Sequence, residues 1–230
     1  MIDLELNSTT VLQKEGKSFY WASFFLPKNS KKNAGILYSI CRYFDDIADK
    51  NSEDKTTYLK KSINEIKNNQ NNKVNLFLQK NKINNSLLID LIEGLILDQT
   101  QIRIQNKEEL IKYSYHVAGT VGLMMSKIIG VKHEKAAQSA IDLGIGMQLT
   151  NIARDVYEDS KMKRIYLPEN WITNVSLKNL YDLRETSSEK DEKIKSKIDL
   201  TVIKDFSNKF RYTLFLKYFL LDFILIPIPL

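Results

Sequence analysis

Aspartates recur in pairs, four residues apart, at two places in the chain. Asp45 and Asp49 form the first pair, and Asp155 and Asp159 form the second. On a helix, residues four apart lie one turn above each other, so each pair places two carboxylates on one face. Two like charges at this spacing destabilise an isolated helix by about 0.2–0.5 kcal/mol. A bound cation would remove that cost.

Polar and basic side chains accompany both pairs. Tyr38 and Arg42 lie on the same predicted helix face as the first pair. The second segment carries amides, arginines and a tyrosine, which are Gln148, Asn151, Arg154, Arg164 and Tyr166. Arginine binds phosphate oxygens through two parallel hydrogen bonds, so these side chains suit a phosphorylated ligand.

The donor types predict which cation is bound. Carboxylates and an amide, without His or Cys among them, are hard oxygen ligands that suit Mg²⁺ or Mn²⁺. The predicted metal ligands are Asp45, Asp49, Asn151, Asp155 and Asp159. Mg²⁺ takes one or two protein carboxylates and completes its shell with water and substrate phosphate. The pattern therefore predicts a diphosphate held between two aspartate-bearing helices.

A single acidic pair is usually a solvated helix face. Here there are two such pairs, and each has an arginine close by. Apolar residues flank both pairs, namely Ile47 and Ala48 at the first and Ile152, Ala153 and Val156 at the second. This combination favours the metal–diphosphate interpretation over the solvated face.

Two segments resemble the signature motifs of the squalene/phytoene synthase family. They are YSICRYFDDIAD (Tyr38–Asp49) and QLTNIARDVYEDSKMKRIYLP (Gln148–Pro168). Lys17–Phe19, GLILD (Gly94–Asp98) and HVAGTVG (His116–Gly122) are similar to further blocks of that family. HVAGTVGLMM and DLGIGMQLTNIARDVYEDS resemble bacterial phytoene synthases more than squalene synthases.

The resemblance implies an all-α fold, a single isoprenoid synthase-like domain over residues 1–230. It would be an antiparallel helical bundle with a central cavity, shortened at its C-terminus. The implied activity is that of a prenyl transferase, which joins two geranylgeranyl diphosphates head to head through a cyclopropyl diphosphate to give phytoene. Mg²⁺ or Mn²⁺ is the expected cofactor, and NADPH is not expected.

The resemblance also implies roles for individual residues. The implied catalytic residues are Tyr38, Asp45, Asp49, Asp155 and Asp159. The implied diphosphate-binding residues are Arg42, Gln148, Asn151, Arg154, Arg164 and Tyr166.

Two other functions stay open. One is the formation of squalene or another C30 product from farnesyl diphosphate, and the other is a catalytically inactive assembly factor with the same fold. Nucleic acid is not an expected partner, because the basic residues are not interleaved with aromatic ones on an obvious face. The sequence leaves the oligomeric state open.

The composition is that of a helical globular protein. Apolar residues make up 43% and charged residues 27%, with only 8 Gly and 4 Pro in 230 residues. The one cysteine, Cys41, excludes an intramolecular disulfide and is expected to be packed in the core. The N-terminus lacks the pattern of a secretory signal, so a cytoplasmic location is expected. The net charge of +6 does not choose among partners.

The apolar run Tyr212–Leu230 contains Lys217 and Asp222, which argues against a membrane span. A core helix is its first interpretation, and an anchor on the membrane surface is the second. Because the expected substrates are lipophilic, some peripheral contact with a membrane is expected.

Hydrophobic periodicity predicts the elements that position these residues. Helices are expected over Ala34–Lys50, Ser86–Gln105, Lys107–Ile129 and His133–Glu158. Asn51–Asn85 is expected to be an exposed helix followed by a loose Asn-rich connection, and Thr173–Lys197 a charged helix pair. Ser18–Pro27 is either a strand or a helix. The apolar candidates for lining a cavity, each favoured as plain core, are Phe19, Tyr20, Leu91, Leu95, Val117, Ala118, Val121, Leu123 and Met147.

Overall fold

The structure is a computed structural model that describes residues 8–50, 54–70, 72–99, 103–156, 159 and 164–169. The predictions for Thr173–Lys197 and for Tyr212–Leu230 lie outside these residues.

The described chain is helical, which confirms the all-α prediction. Its elements in order are α1 (Ser8–Glu15), α2 (Lys17–Ala22), a 3-10 turn (Ser23–Phe25), α3 (Lys28–Asp49), α4 (Lys55–Lys67), α5 (Asn72–Lys80), α6 (Asn85–Leu97), α7 (Lys107–Ser114), a π-helical turn (Tyr115–Gly119), α8 (Thr120–Ile129) and α9 (Glu134–Arg154). Within the described ranges, the β-type pairing is an isolated parallel bridge between Arg103 and Ile165.

The chain forms two compact units. The first unit comprises Met1–Gln99 and His116–Ile141, and the second comprises Thr100–Tyr115 and Asp142–Leu230. The first aspartate motif belongs to the first unit and the second motif to the second unit. The single-domain organisation stays a prediction.

Helix α3 is the central element of the first unit and packs against α1, α4, α6 and α8. Its apolar residues recur at helical spacing, and Leu37, Ile40 and Phe44 are completely buried. They join a core to which α6 contributes Leu88 and Ile92. Because one face of α3 packs in this core, the polar face of the helix points away from the core.

The helix expected after α3 is confirmed as α4, whereas its expected exposure and the loose connection up to Asn85 are wrong. Helix α4 buries Leu59 and Ile66, and a second helix, α5, follows and buries Val74 and Leu78. The Asn-rich join is short, and Asn69 adopts φ 54° there, a left-handed conformation that asparagine tolerates. The periodic apolar residues outweigh the polar composition, because each of these helices needs only one narrow apolar stripe.

The predicted helix over Lys107–Ile129 is confirmed, and it contains a π-helical turn where α7 continues into α8. At this turn the Nδ1 atom of His116 lies 3.1 Å from the carbonyl oxygen of Asp90 on α6. Gly94 provides the space, since a Cβ there would lie 2.9 Å from the His116 Cβ and from the Val117 Cγ1. This contact joins the π-helical turn to α6, so His116 has a structural role, whereas His133 is exposed.

Several predicted boundaries move. Helix α3 begins at Lys28, α6 ends at Leu97, and α9 runs from Glu134 to Arg154. The ambiguous aromatic segment is helical, as α2 and the 3-10 turn that follows it. Of the helices in the described part of the chain, none is both long and apolar enough to cross a membrane.

Candidate functional site

The first motif lies in the C-terminal half of α3, opposite the buried side chains of that helix. Nη1 of Arg42 lies 2.9 Å from Oδ2 of Asp45, and Nε of Arg42 lies 2.8 Å from Oδ1 of Asp46. The Asp45 side chain is 41% exposed and the Asp46 side chain is 52% exposed. Asp49 lies one turn beyond Asp45 and is exposed. The carboxylates of this motif are therefore accessible from solvent.

Arg42 carries a permanent positive charge in this cluster. Burial alone would lower the pKa of the guanidinium, but the carboxylates of Asp45 and Asp46 more than offset that effect and raise it. The guanidinium contacts two carboxylates, and Asp49 adds a third carboxylate to the same motif. The formal excess of negative charge favours a cation with oxygen ligands.

Tyr38 lies one turn before Arg42, and its ring packs against α1 and α2. A Cβ on Gly16 would lie 2.9 Å from Cζ of Tyr38, and the rings of Phe19 and Tyr38 have centroids 6.2 Å apart. Burial raises the pKa of the Tyr38 hydroxyl and Arg42 lowers it, with a net increase. Tyr38 is therefore a neutral hydrogen-bond donor at neutral pH.

Gly16 was not among the site residues that the motifs predicted. It leaves the space that the ring of Tyr38 occupies, so it positions that side chain without polar chemistry of its own. The available signal was its place immediately before Lys17–Phe19, the block that resembles the start of the family.

The second motif keeps its helical register beyond the end of α9. The backbone N–H of Asp155 donates to the carbonyl of Asn151 at 2.9 Å, and the N–H of Asp159 donates to the carbonyl of Asp155 at 2.8 Å. These bonds stack Asn151, Asp155 and Asp159 one turn apart, as the spacing predicted. Gln148 lies one turn before Asn151 and is half-buried.

Asp155 is held by the neighbouring arginine. Nε and Nη2 of Arg154 each donate to a different oxygen of the Asp155 carboxylate, both at 2.6 Å. These hydrogen bonds lower the pKa of Asp155, although partial burial works against them. Asp155 is therefore ionised at neutral pH, which a metal ligand requires.

The loop after the second motif brings three predicted residues to one small pocket. Asp159, Arg164 and Tyr166 line it together with Ile152, Val156, Ile165 and Leu167. The N–H of Arg164 donates to the carbonyl of Asp159 at 2.9 Å. A basic side chain and a carboxylate thus share an otherwise apolar surface in the second unit.

Tyr166 also has a packing role that its motif position did not predict. The residue is 7% exposed, and its ring stacks on Tyr113 of α7 with centroids 5.1 Å apart and planes 24° apart. The bridge between Arg103 and Ile165 and the hydrogen bond from the N–H of Glu169 to the carbonyl of Ile104 anchor the same loop.

Each unit taken alone therefore carries carboxylates at helical spacing and an arginine in direct contact with one of them. Across the described residues, no three His, Cys, Asp or Glu side chains come together as a complete metal site. The oxygen donors present fit Mg²⁺, which needs only one or two protein carboxylates when phosphate completes its shell. The metal and diphosphate roles of these residues stay predictions.

The described helices have the all-α isoprenoid synthase fold, and they carry two aspartate-rich motifs. The squalene/phytoene synthase family model matches residues 12–196, so the chain belongs to the squalene/phytoene synthase family. The resemblance noted from the motifs is thereby confirmed.

Curated relatives include bacterial phytoene synthases. The chain is 29% identical to the 15-cis-phytoene synthase of a Paracoccus species over 192 residues, covering 75% of this chain and 62% of the relative. It is 32% identical to the 15-cis-phytoene synthase of Enterobacter agglomerans over 191 residues, covering 72% and 63%. The chain thus spans less than two thirds of the length of these relatives.

Two solved structures are similar. A dehydrosqualene synthase matches with a TM-score of 0.66 and 26% identity, over 88% of this chain and 75% of that one. The squalene synthase HpnC of Alicyclobacillus acidocaldarius matches with a TM-score of 0.65 and 18% identity, over 87% and 80%. At that identity the second likeness shows the fold alone.

Proposed function

We propose that this protein is a prenyl transferase that condenses two geranylgeranyl diphosphates head to head to phytoene, with release of diphosphate. The observation that carries the proposal is that a predicted metal ligand in each motif is in direct contact with an arginine, Asp45 with Arg42 and Asp155 with Arg154. A cation ligand and a phosphate ligand are thus adjacent in each motif. The similarity to bacterial phytoene synthases supports the choice of substrate.

The residues divide into two roles. Asp45, Asp49, Asn151, Asp155 and Asp159 supply oxygen ligands for Mg²⁺ or Mn²⁺. When bound, the cation offsets the charge of the departing diphosphate. Arg42 and Arg154 exchange part of their contact with carboxylates for contact with phosphate oxygens. Arg164, Tyr166, Gln148 and Asn151 add polar contacts to the diphosphates.

Tyr38 is placed to act as a hydrogen-bond donor. Its hydroxyl stays protonated at neutral pH, because burial raises its pKa. A neutral phenol on the same helix face as Arg42 and Asp45 can donate to an anionic leaving group without adding charge to the site.

The proposed reaction has two stages. Departure of one diphosphate leaves an allylic cation, which the double bond of the second substrate attacks, and loss of a proton from the resulting cation closes the cyclopropyl diphosphate. Departure of the second diphosphate, rearrangement of the cation and loss of a second proton then give the C40 hydrocarbon. No reductant is consumed, so NADPH is not required. Because water would quench the cations, apolar side chains must exclude it during both stages.

A C30 product is the second candidate function. The similarity to a dehydrosqualene synthase, at 26% identity and a TM-score of 0.66, favours it. Product analysis with C15 and C20 diphosphates, each with and without NADPH, distinguishes the C30 product from phytoene.

An inactive assembly factor is the third candidate function. If the protein is such a factor, it should not bind a diphosphate analogue in a metal-dependent way.

The direct test incubates the purified chain with geranylgeranyl diphosphate and Mg²⁺, without NADPH, and extracts the hydrocarbon. We expect a C40 product that disappears with EDTA and in Asp45→Asn and Asp155→Asn. Asp54→Asn is the matched control, because Asp54 is an exposed aspartate outside both motifs, and it should keep activity. Absence of product from a folded chain with both C20 and C15 substrates would reject the proposal.

A further inference from the structure

Three large aromatic side chains are exposed next to each other at the end of α2 and in the 3-10 turn. Trp21 is 70% exposed, Phe24 is 53% exposed and Phe25 is 92% exposed. The ring centroids of Trp21 and Phe24 are 5.8 Å apart, and Phe25 follows Phe24 in the same 3-10 turn. These three side chains are here called the aromatic patch. Contiguous apolar patches on a protein surface usually mark a site of interaction.

Lysines border the aromatic patch. Lys28, Lys31 and Lys32 share one face of α3 at i, i+3 and i+4, here called the lysine face. The Nζ atom of Lys31 lies 3.5 Å from the ring centroid of Phe24, which places the lysine face directly beside the patch. Residues 14–32 contain five lysines and one acidic residue, Glu15.

The lysine face lies where the helix itself does not favour positive charge. The N-terminus of a helix carries a partial positive charge. Helix α3 has no acidic residue in its first turn, and Pro27 before it offers no side-chain cap. Folding of this helix therefore does not account for the lysines, whereas an anionic partner would be attracted by both the lysines and the helix dipole.

We propose that the aromatic patch and the lysine face together dock the protein on an anionic lipid bilayer. Trp21, Phe24 and Phe25 enter the headgroup region, and the lysines contact anionic headgroups. Tryptophan at headgroup level and lysines facing anionic lipid are typical of peripheral membrane binding. A protein partner fits less well, because lysine is depleted in protein–protein interfaces.

The proposal does not depend on the proposed reaction, because the measurement is binding to vesicles and not catalysis. The chain contains two tryptophans, so Trp171→Phe leaves Trp21 as the one reporter. This protein is mixed with phosphatidylcholine vesicles with and without phosphatidylglycerol. We expect co-sedimentation with the anionic vesicles, a blue shift of Trp21 emission and its quenching by brominated phospholipid. High salt should weaken the binding.

Matched variants test each half of the surface. Removal of one Phe side chain that inserts into the bilayer should weaken binding to the vesicles about tenfold. We therefore expect Phe25→Ser to bind anionic vesicles about tenfold more weakly than the parent. The control is Leu76→Ser, because Leu76 is 63% exposed on α5 and should not affect binding.

Lys28→Glu with Lys32→Glu should abolish the preference for anionic vesicles. The control for that pair is Lys60→Glu with Lys61→Glu on α4. Circular dichroism checks that each variant is folded.

Three results would overturn the proposal. The first is the absence of binding to anionic vesicles by the folded parent. The second is equal binding by Phe25→Ser and Leu76→Ser. The third is a change in sedimentation coefficient of Phe25→Ser without lipid, which would identify the patch as a contact between copies of the chain.

Discussion

The guanidinium of Arg42 lies 2.9 Å from the carboxylate of Asp45 and also contacts Asp46, one residue further along α3. A positive group thus occupies the negative region where the proposed site would bind a cation. If a cation and a diphosphate bind there as proposed, their binding is coupled. The cation would compete with Arg42 for carboxylate oxygens, and the diphosphate would offer Arg42 an alternative partner.

The first prediction concerns this coupling. Arg42→Gln removes the competing charge, so we expect Mn²⁺ alone to bind about tenfold more tightly to the variant than to the parent. We also expect inorganic diphosphate to lose most of its ability to strengthen Mn²⁺ binding. Mn²⁺ titrations followed by electron paramagnetic resonance, with and without diphosphate, measure both effects. Lys60→Gln on α4 is the charge-matched control, and unchanged Mn²⁺ affinity in Arg42→Gln would contradict the coupling.

The second prediction separates the two adjacent aspartates. Asp45 and Asp46 both contact Arg42, but Asp45 lies one turn before Asp49, whereas Asp46 has no such partner in the motif and is the more exposed of the two. We expect Asp45→Asn to lower kcat by about 100-fold, as when one preorganised electrostatic group is lost from an active site. Asp46→Asn should lower kcat less than about tenfold. Steady-state kinetics of the two variants make the comparison, and equal losses would show that the face of α3 does not select the ligand.

The third prediction concerns Tyr166, which has both a predicted ligand role and an observed packing role. Tyr166→Ala removes a buried ring and should lower the free energy of unfolding by about 3–5 kcal/mol. Tyr166→Phe keeps the stack on Tyr113 and should be nearly as stable as the parent. Denaturant unfolding of both variants measures this. A loss of activity in Tyr166→Phe at unchanged stability would assign the hydroxyl to the diphosphate, whereas full activity would leave the residue a packing role alone.

The fourth prediction tests the close approach of α8 and α9 in the first unit. A Cβ at Gly122 would overlap the carbonyl of Ala140, which is backbone and cannot rotate away. We expect Gly122→Ala to lower the free energy of unfolding by about 1–3 kcal/mol, the usual cost of overpacking. Gly130 has φ 89° and nothing near its absent Cβ, so Gly130→Asn is the control and should be tolerated. Equal stability of Gly122→Ala and the parent would contradict the contact.

The fifth prediction concerns Cys41 in alkali. Burial, with a smaller contribution from Asp45, raises the pKa of the Cys41 thiol from 9.0 to about 12. The folded state therefore binds this proton more tightly than the unfolded state. The resulting stabilisation is complete below pH 9.0 and is lost as the pH rises towards about 12. We expect the free energy of unfolding to fall over that window more steeply in the parent than in Cys41→Ala. Parallel slopes in the two proteins would show that the thiol is not held in its protonated form.

Much of the site could be predicted from the sequence, because helical spacing is a local property. The stacking of Asn151, Asp155 and Asp159 followed from their separations, and backbone hydrogen bonds link them in that register. The same holds for Tyr38, Arg42, Asp45 and Asp49 on α3. The buried faces of α3 and α6 also followed from their periodic apolar residues.

Other features depended on contacts between residues distant in sequence. The π-helical turn at Tyr115–Gly119 follows the approach of His116 to Asp90, and the space for His116 comes from Gly94. The polar composition of α5 did not predict a packed helix. The burial of Val74 and Leu78 depends on the other helices that pack against α5. The importance of Gly16 appears only where the ring of Tyr38 occupies the space beside it.

The sequence by itself therefore determined the helical class, the family and the two aspartate motifs, because these depend on residue types at short, regular separations. Tertiary structure alone decided that the ring of Tyr38 lies beside Gly16, that Tyr166 stacks on Tyr113, and that the aromatic patch stays on the surface beside Lys31. Rotamers, burial and ring contacts depend on which distant segments pack together, and short-range periodicity does not contain that information.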